Sequence, residues 1–184
     1  MRARRLAWLA CASATLALAG CGGGGGDTAA PVAAPATAST CGLPDFAASA
    51  LARVNQMRAA GATCGSRGTF APAPALGWSD LLTQAADVHS RDMQANNFFS
   101  HTGSNGSNAG ARITAAGYAW SGYGENIAAG YATVNAVVDG WMASEGHCVN
   151  IMTASFEQFG LSCVSGTSSN AYGNYWTMDL ARSR

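Results

Sequence analysis

The 184-residue chain has only three histidines and three glutamates, and two of each fall between positions 101 and 147. His101 lies in FFSHTG, Glu125 in YGENIAAG, and Glu145 and His147 in GWMASEGHCVN. Two imidazoles and two carboxylates are a plausible ligand set for Zn2+ or another first-row divalent ion, with neutral imidazole as ligand and the carboxylates ligating or orienting the rings. The same groups suit metal-free acid–base chemistry, in which a carboxylate fixes an imidazole tautomer. In a hydrolytic site, Glu125 or Glu145 would be the general base to a metal-bound water. The bland alternative is a scatter of loop polar residues with no shared site. There is no HExxH, GxSxG or Walker loop, and Ser100 and Ser144 lack the context of a nucleophile.

These side chains need elements to position them. His101 and Glu125 each fall in a Gly/Ser/Asn-rich stretch, which reads as loop on a scaffold. TVNAVVDGWMASE, Thr133 to Glu145, reads as a helix capped by Thr133, with Val134, Val137, Val138, Trp141 and Met142 inward. Residues two apart on a continuing helix point to different sides, so Glu145 and His147 could act together only if the helix stops between them. Gly146 sits where a helix-ending glycine belongs, and a left-handed conformation there would let His147 turn back beside Glu145.

Further helices are expected over Asp45 to Gly61, Ser79 to Asn97 with Ser79 as N-cap, and Ala109 to Ala116. His89 falls on the apolar stripe of the second, with Leu82, Ala85, Ala86 and Met93, and reads as a satisfied core residue. Trp78, Trp141 and Trp176 also read as core. FEQFGLSCVSG and NAYGNYWTMDLA have the alternation and β-formers of two strands, separated by the turn GTSSN. Helices followed by a hairpin give an α+β class, with helices packed on an antiparallel sheet.

The N-terminus reads as an export signal over residues 1–20. Arg2, Arg4 and Arg5 precede an apolar run, Leu6 to Ala19, which is too short to span a bilayer. LAGC, ending at Cys21, resembles the bacterial lipoprotein cleavage box, in which that cysteine is lipidated, the alternative being plain secretion with cleavage near Ala19; Gly22 in place of Asp points to the outer membrane. Several acyl chains hold a protein on a membrane far more firmly than one. Residues 21–40, Gly-rich and then Ala/Pro/Thr-rich, read as a flexible tether, leaving residues 41–184 as one domain. Without its leader the chain carries seven arginines against ten acids, and no basic surface argues for nucleic acid.

Four cysteines remain in the exported part, Cys41, Cys64, Cys148 and Cys163, which suggests two disulfides. Three pairings are possible. Cys41 with Cys64 and Cys148 with Cys163 is favoured, since each pair brackets a compact segment. Zinc held by the four cysteines is disfavoured because no close CxxC pair is present.

Taken in order, RVNQMRAAG, AADVHSRDM, NNFFSHTG, YGENIAAG, VVDGWMASEGH with VNIM, and YWTMDLA resemble the CAP superfamily of cysteine-rich secretory, antigen 5 and pathogenesis-related proteins (the SCP domain), in its bacterial secreted branch. The resemblance covers roughly residues 45–181 and implies a three-layer α-β-α sandwich, whose third layer periodicity alone does not give. It implies a cleft tetrad of His101, Glu125, Glu145 and His147. Similar bacterial domains often have Pro at the place of Glu145, Arg at Cys148, Asp at Asn105 and Pro at Ala109. Members are associated with divalent metal, with sterol or lipid, and with proteolytic or cell-wall functions, so the resemblance names no single reaction. Together with the lipoprotein box, it leads to an envelope-tethered lipoprotein whose cleft binds a divalent metal, zinc first, and an envelope lipid, peptide or glycan ligand. A metal-dependent peptidase or cell-wall hydrolase, and a sterol-binding protein with a groove away from the tetrad, are the alternatives.

Overall fold

The computed structural model describes residues 38–184; the leader, Cys21 and the tether as far as residue 37 lie outside the described residues. The elements run α1 (Phe46–Ala60), β1 (Ala62–Thr63), a 3-10 turn (Gly65–Arg67), β2 (Thr69–Phe70), β3 (Gly77–Trp78), α2 (Asp80–Ala95), α3 (Ala109–Ala115), β4 (Trp120–Ala129), α4 (Val134–Met142), α5 (Glu145–Met152), β5 (Gln158–Ser165) and β6 (Asn174–Ser183). Side-chain caps start three helices: Ser79 accepts from Leu82 N, Asn108 from Ala111 N and Thr133 from Ala136 N.

The sheet order is β3-β5-β6-β4. β5, β6 and β4 pair antiparallel, but β3 runs parallel to β5, so the sheet is mixed rather than wholly antiparallel. Alternation along β6 builds the two outer layers. Trp176, Met178 and Leu180 join Phe46, Val137 and Ile151 in the core under α1, α4 and α5. On the opposite face Ala181 packs with Leu82 and Ile113, and Tyr175 with Met93 and Ile127. Truncating the fully buried Trp176 to Ala would cost about 3–5 kcal/mol. A Cβ on Gly160 of β5 would overlap the backbone nitrogen of Thr83, so α2 rests directly on the strand there.

Three expectations need correction. Glu125 lies in β4, not in a loop; Glu125 pairs with Asp179, and the Gly/Ser/Asn content of the segment is overridden by pairing with β6. Gly146 does not end a helix. A new helix, α5, begins at Glu145 behind Ser144, and Gly146 sits inside it without a left-handed backbone. The disulfides are Cys41–Cys163 and Cys64–Cys148, so neither local pair forms. Cys163 lies mid-strand in β5, where Thr40 bridges to it in parallel and Cys41 N donates to its carbonyl. Cys148, on α5, faces the turn that follows Cys64. Ser39 and Thr40, at the end of the expected tether, are thus bonded into the fold.

Buried Arg58 fixes α5 from below. It donates to the carbonyls of Pro74, Ile151, Thr153 and Phe156 and places a cation against the last turn of the helix.

Candidate functional site

Glu125 stands in mid-β4 on the face covered by α2 and α3, while the segment after α2 carries His101 to its edge. His101 Nδ1 lies 2.7 Å from Glu125 Oε1, the carboxylate almost fully buried and the imidazole 55 % exposed. An ionised carboxylate only accepts, so Nδ1 carries the proton and the ring presents Nε2 outward. Arg112 of α3 closes the arrangement. Its Nη2 donates to Glu125 Oε2 at 2.5 Å and to the His101 carbonyl at 3.1 Å, while Nη1 donates to the Ser107 carbonyl at 2.9 Å. One guanidinium therefore holds both the carboxylate and the backbone of its imidazole partner. Burial acts to raise the Glu125 carboxyl, but the bond from His101 and the charge of Arg112 outweigh it and hold the group below the ordinary range.

His147 comes from α5, within its first turn. The helix is registered on β4 by two asparagines: Asn150 Nδ2 donates to the Glu125 carbonyl at 3.0 Å and to Asn126 Oδ1 at 2.8 Å, while Asn126 Nδ2 donates to the His147 carbonyl at 3.2 Å. A Cβ on Gly124 would lie 3.0 Å from Asn150 Oδ1. In the Gly-Glu-Asn run, glycine thus permits the close approach of α5, glutamate pairs with His101, and asparagine docks the helix. His147 is half-buried; burial first, and the nearby charge of His101 second, hold its imidazole below its ordinary pKa.

Glu145 takes another direction. Two residues before His147 on the same helix, it points about 200° away around the axis. Its carboxylate accepts from Ser66 N at 2.9 Å and Ser66 Oγ at 2.6 Å, and these bonds hold its pKa low. At the start of α5 the negative charge is favourable, the reverse of the helix-end position expected for it. Gly65, with φ +55°, leaves room for this contact, since a Cβ there would overlap the Glu145 carboxylate.

The structure therefore brings His101, Glu125 and His147 to one region and ties Glu145 to the turn after Cys64. Among the described residues no group of three or more His, Cys, Asp or Glu side chains converges in a way that could hold a metal ion. Both Glu125 oxygens are engaged, so the donors left are the two imidazoles. Arg112 and the two asparagines escape a reading of sequence alone. A lone arginine beside Ile113, in a helix otherwise of small residues, is the one available signal. Ser100, which lacks a nucleophile's context in the sequence, accepts from Thr102 N at its hydroxyl and from His89, whose ring is fully buried, at its carbonyl.

Beside His147 opens a cavity of about 310 Å3 lined by Phe99, Ile127, Tyr131, Trp141 and Tyr172 among others. The Phe99 and Tyr172 rings lie 5.6 Å apart, and both remain exposed at its mouth.

A family model described as the cysteine-rich secretory protein family, CAP, matches residues 51–180. Among curated proteins, the uncharacterized protein YkwD of Bacillus subtilis (strain 168) is 32% identical over 101 residues, which are 55% of this chain and 37% of that protein. The uncharacterized membrane protein YlbC of the same organism is 33% identical over 86 residues, 47% of this chain and 25% of its own length. The chain thus spans well under half of either relative. Among solved structures, an extracellular protein containing a SCP domain from Bacillus anthracis str. Ames superposes with a TM-score of 0.52 at 31% identity, over 60% of this chain and 34% of that one. An outer surface protein from Borrelia burgdorferi gives 0.55 at 19% identity, over 61% of this chain and 80% of that one, a likeness of fold alone.

Proposed function

The chain belongs to the CAP family of cysteine-rich secretory proteins, and from that premise we propose that it is an exported, membrane-tethered binding domain whose recognition centre is the His101–His147 imidazole pair. The carrying observation is the 2.7 Å contact between His101 Nδ1 and the buried Glu125 carboxylate, which commits one ring nitrogen and leaves the other on the exposed side of the ring. Glu125 and Arg112 orient His101. His147, kept neutral by burial, offers a second lone pair or donor, and the Phe99 and Tyr172 side of the cavity offers apolar surface to the rest of an envelope ligand.

The four-residue metal set implied by the resemblance is reduced here to two imidazoles. These fit a divalent ion, zinc first, that completes its shell from water or from the ligand. Such an ion would supply Lewis acidity toward a ligand oxygen. Export is supported by the likeness to the extracellular B. anthracis protein. Lipid attachment at Cys21 and residence on the outer membrane complete the reading.

Calorimetric titration of the full-length protein with Zn2+ tests it. Wild type is expected to bind one ion, and His101→Ala and His147→Ala each to weaken binding at least tenfold. Unchanged binding in both variants would refute the assignment.

A further inference from the structure

Four polar atoms behind the site are buried and have no protein partner among the described residues: His89 Nδ1, Arg112 Nε, and both side-chain oxygens of Asp179. Their residues come from α2, α3 and β6 and are all tied to Glu125. Asp179 is its cross-strand partner, Arg112 its ion-pair partner, and His89 lies close enough to exchange electrostatic influence with it. His89 and Asp179 are fully buried, and Arg112 is almost so.

Hydrogen-bond chemistry limits what can satisfy them. The Ser100 carbonyl can only accept, so His89 Nε2, 2.8 Å away, carries the ring proton. The neutral imidazole then shows a bare lone pair at Nδ1, which needs a donor. Arg112 Nε–H needs an acceptor. Enclosed water can donate to Nδ1 and accept from Nε–H beside a carboxyl group in either protonation state, so charge decides which state Asp179 takes.

Charge counting decides between the two states. Beside Asp179 are Glu125 of β4, its cross-strand partner, and Arg112 of α3, with His89 of α2 near the same Glu125 and Arg112; β5 places Gly160 opposite, and Thr177 and Ala181 flank it on β6. The Thr177 hydroxyl is taken by Ser90, and the other α2 acids are engaged elsewhere, Asp87 with Arg91 and Ser162, and Asp92 with Ser104 and Asn96. One guanidinium thus serves two carboxyl groups, and Glu125 already neutralises it. A second carboxylate would be an uncompensated buried charge.

We propose that Asp179 is a neutral carboxylic acid at neutral pH which leaves the charge of Arg112 to Glu125 and, through enclosed water, accepts from Arg112 Nε, and so positions Arg112 behind Glu125. Water is the natural bridge, because buried polar groups too far apart for direct bonds are commonly joined by water making two to four bonds. Burial first, and the Glu125 charge second, push the Asp179 carboxyl well above the ordinary carboxylate range. Asp179 is then a positioning residue for His101, acting through Arg112, and it has this role whatever the cleft binds.

Carboxyl-carbon NMR of the full-length wild-type protein, without added metal, tests the protonation directly. One aspartate signal is expected to keep its protonated shift at neutral pH and to be lost in Asp179→Asn. The amide also supplies one donor side and one acceptor, so Asp179→Asn should fold and leave the His101 ring NMR signals unmoved, while the apolar Asp179→Leu should shift those signals or fail to fold. Only ionised aspartates in wild type at neutral pH, or Asp179→Asn failing to fold or shifting His101, would overturn the proposal.

Discussion

Glu125 on β4 stands opposite Asp179 on β6 in antiparallel register, so two carboxyl groups share one buried layer with a single guanidinium, Arg112. Their protonation is driven apart. Glu125 is held low and Asp179 is pushed high. The signs of their contributions to stability are therefore opposite.

For Asp179 the folded pKa lies above the unfolded value of about 3.9. Its contribution is fully present below about pH 4 and is lost as pH rises through the folded pKa, at up to about 1.4 kcal/mol per pH unit. Asp179→Asn should remove this loss. Urea denaturation at pH 5 and pH 8 is expected to show a smaller decline in the variant than in wild type; equal declines would contradict the prediction.

Glu125 behaves in the opposite way, its contribution being present above about pH 4.3 and lost as pH falls through the depressed folded value. Arg112→Met leaves the buried carboxylate without its cation and should cost about 3–5 kcal/mol at pH 7. Guanidinium denaturation measures this. A loss below about 1 kcal/mol would place the pair among screened surface contacts.

His147 has a folded pKa below its unfolded value of about 6.5, so its neutral form is favoured by folding. Its contribution is present above about pH 6.5 and is lost as pH falls below that value. His147→Gln should flatten the stability profile between pH 6.5 and 5, a change visible in melting temperatures across that range.

Disulfide mapping under non-reducing conditions is expected to recover Cys41 with Cys163 and Cys64 with Cys148. Replacing Cys64 and Cys148 together by Ala opens a link spanning 84 residues and should cost about 2–5 kcal/mol.

How much of this is legible in sequence follows from how local each signal is. α1, α2, α3 and most of α4 show in their periodicity and in residues such as Ser79 and Thr133, and the β5–β6 hairpin in its β-formers. β4 is hidden because Gly122, Gly124 and Asn126 look like loop, yet Gly124 leaves room for the close approach of Asn150. The start of α5 is indistinguishable from the end of α4, since Ser144, Glu145 and Gly146 suit either role. His101, Glu125 and His147 are identifiable as chemistry-bearing residues. Nothing local marks Asp179 or the Ser66–Glu145 contact, because strand register and a disulfide between distant segments make them.

A crystal structure of the protein soaked with Zn2+ tests the two-imidazole centre most directly. The ion is expected on His101 Nε2 and a ring nitrogen of His147, with Glu125 still on His101 Nδ1 and Glu145 still on Ser66. Glu145 leaving Ser66 to join the shell, or the ion settling away from both imidazoles, would contradict it.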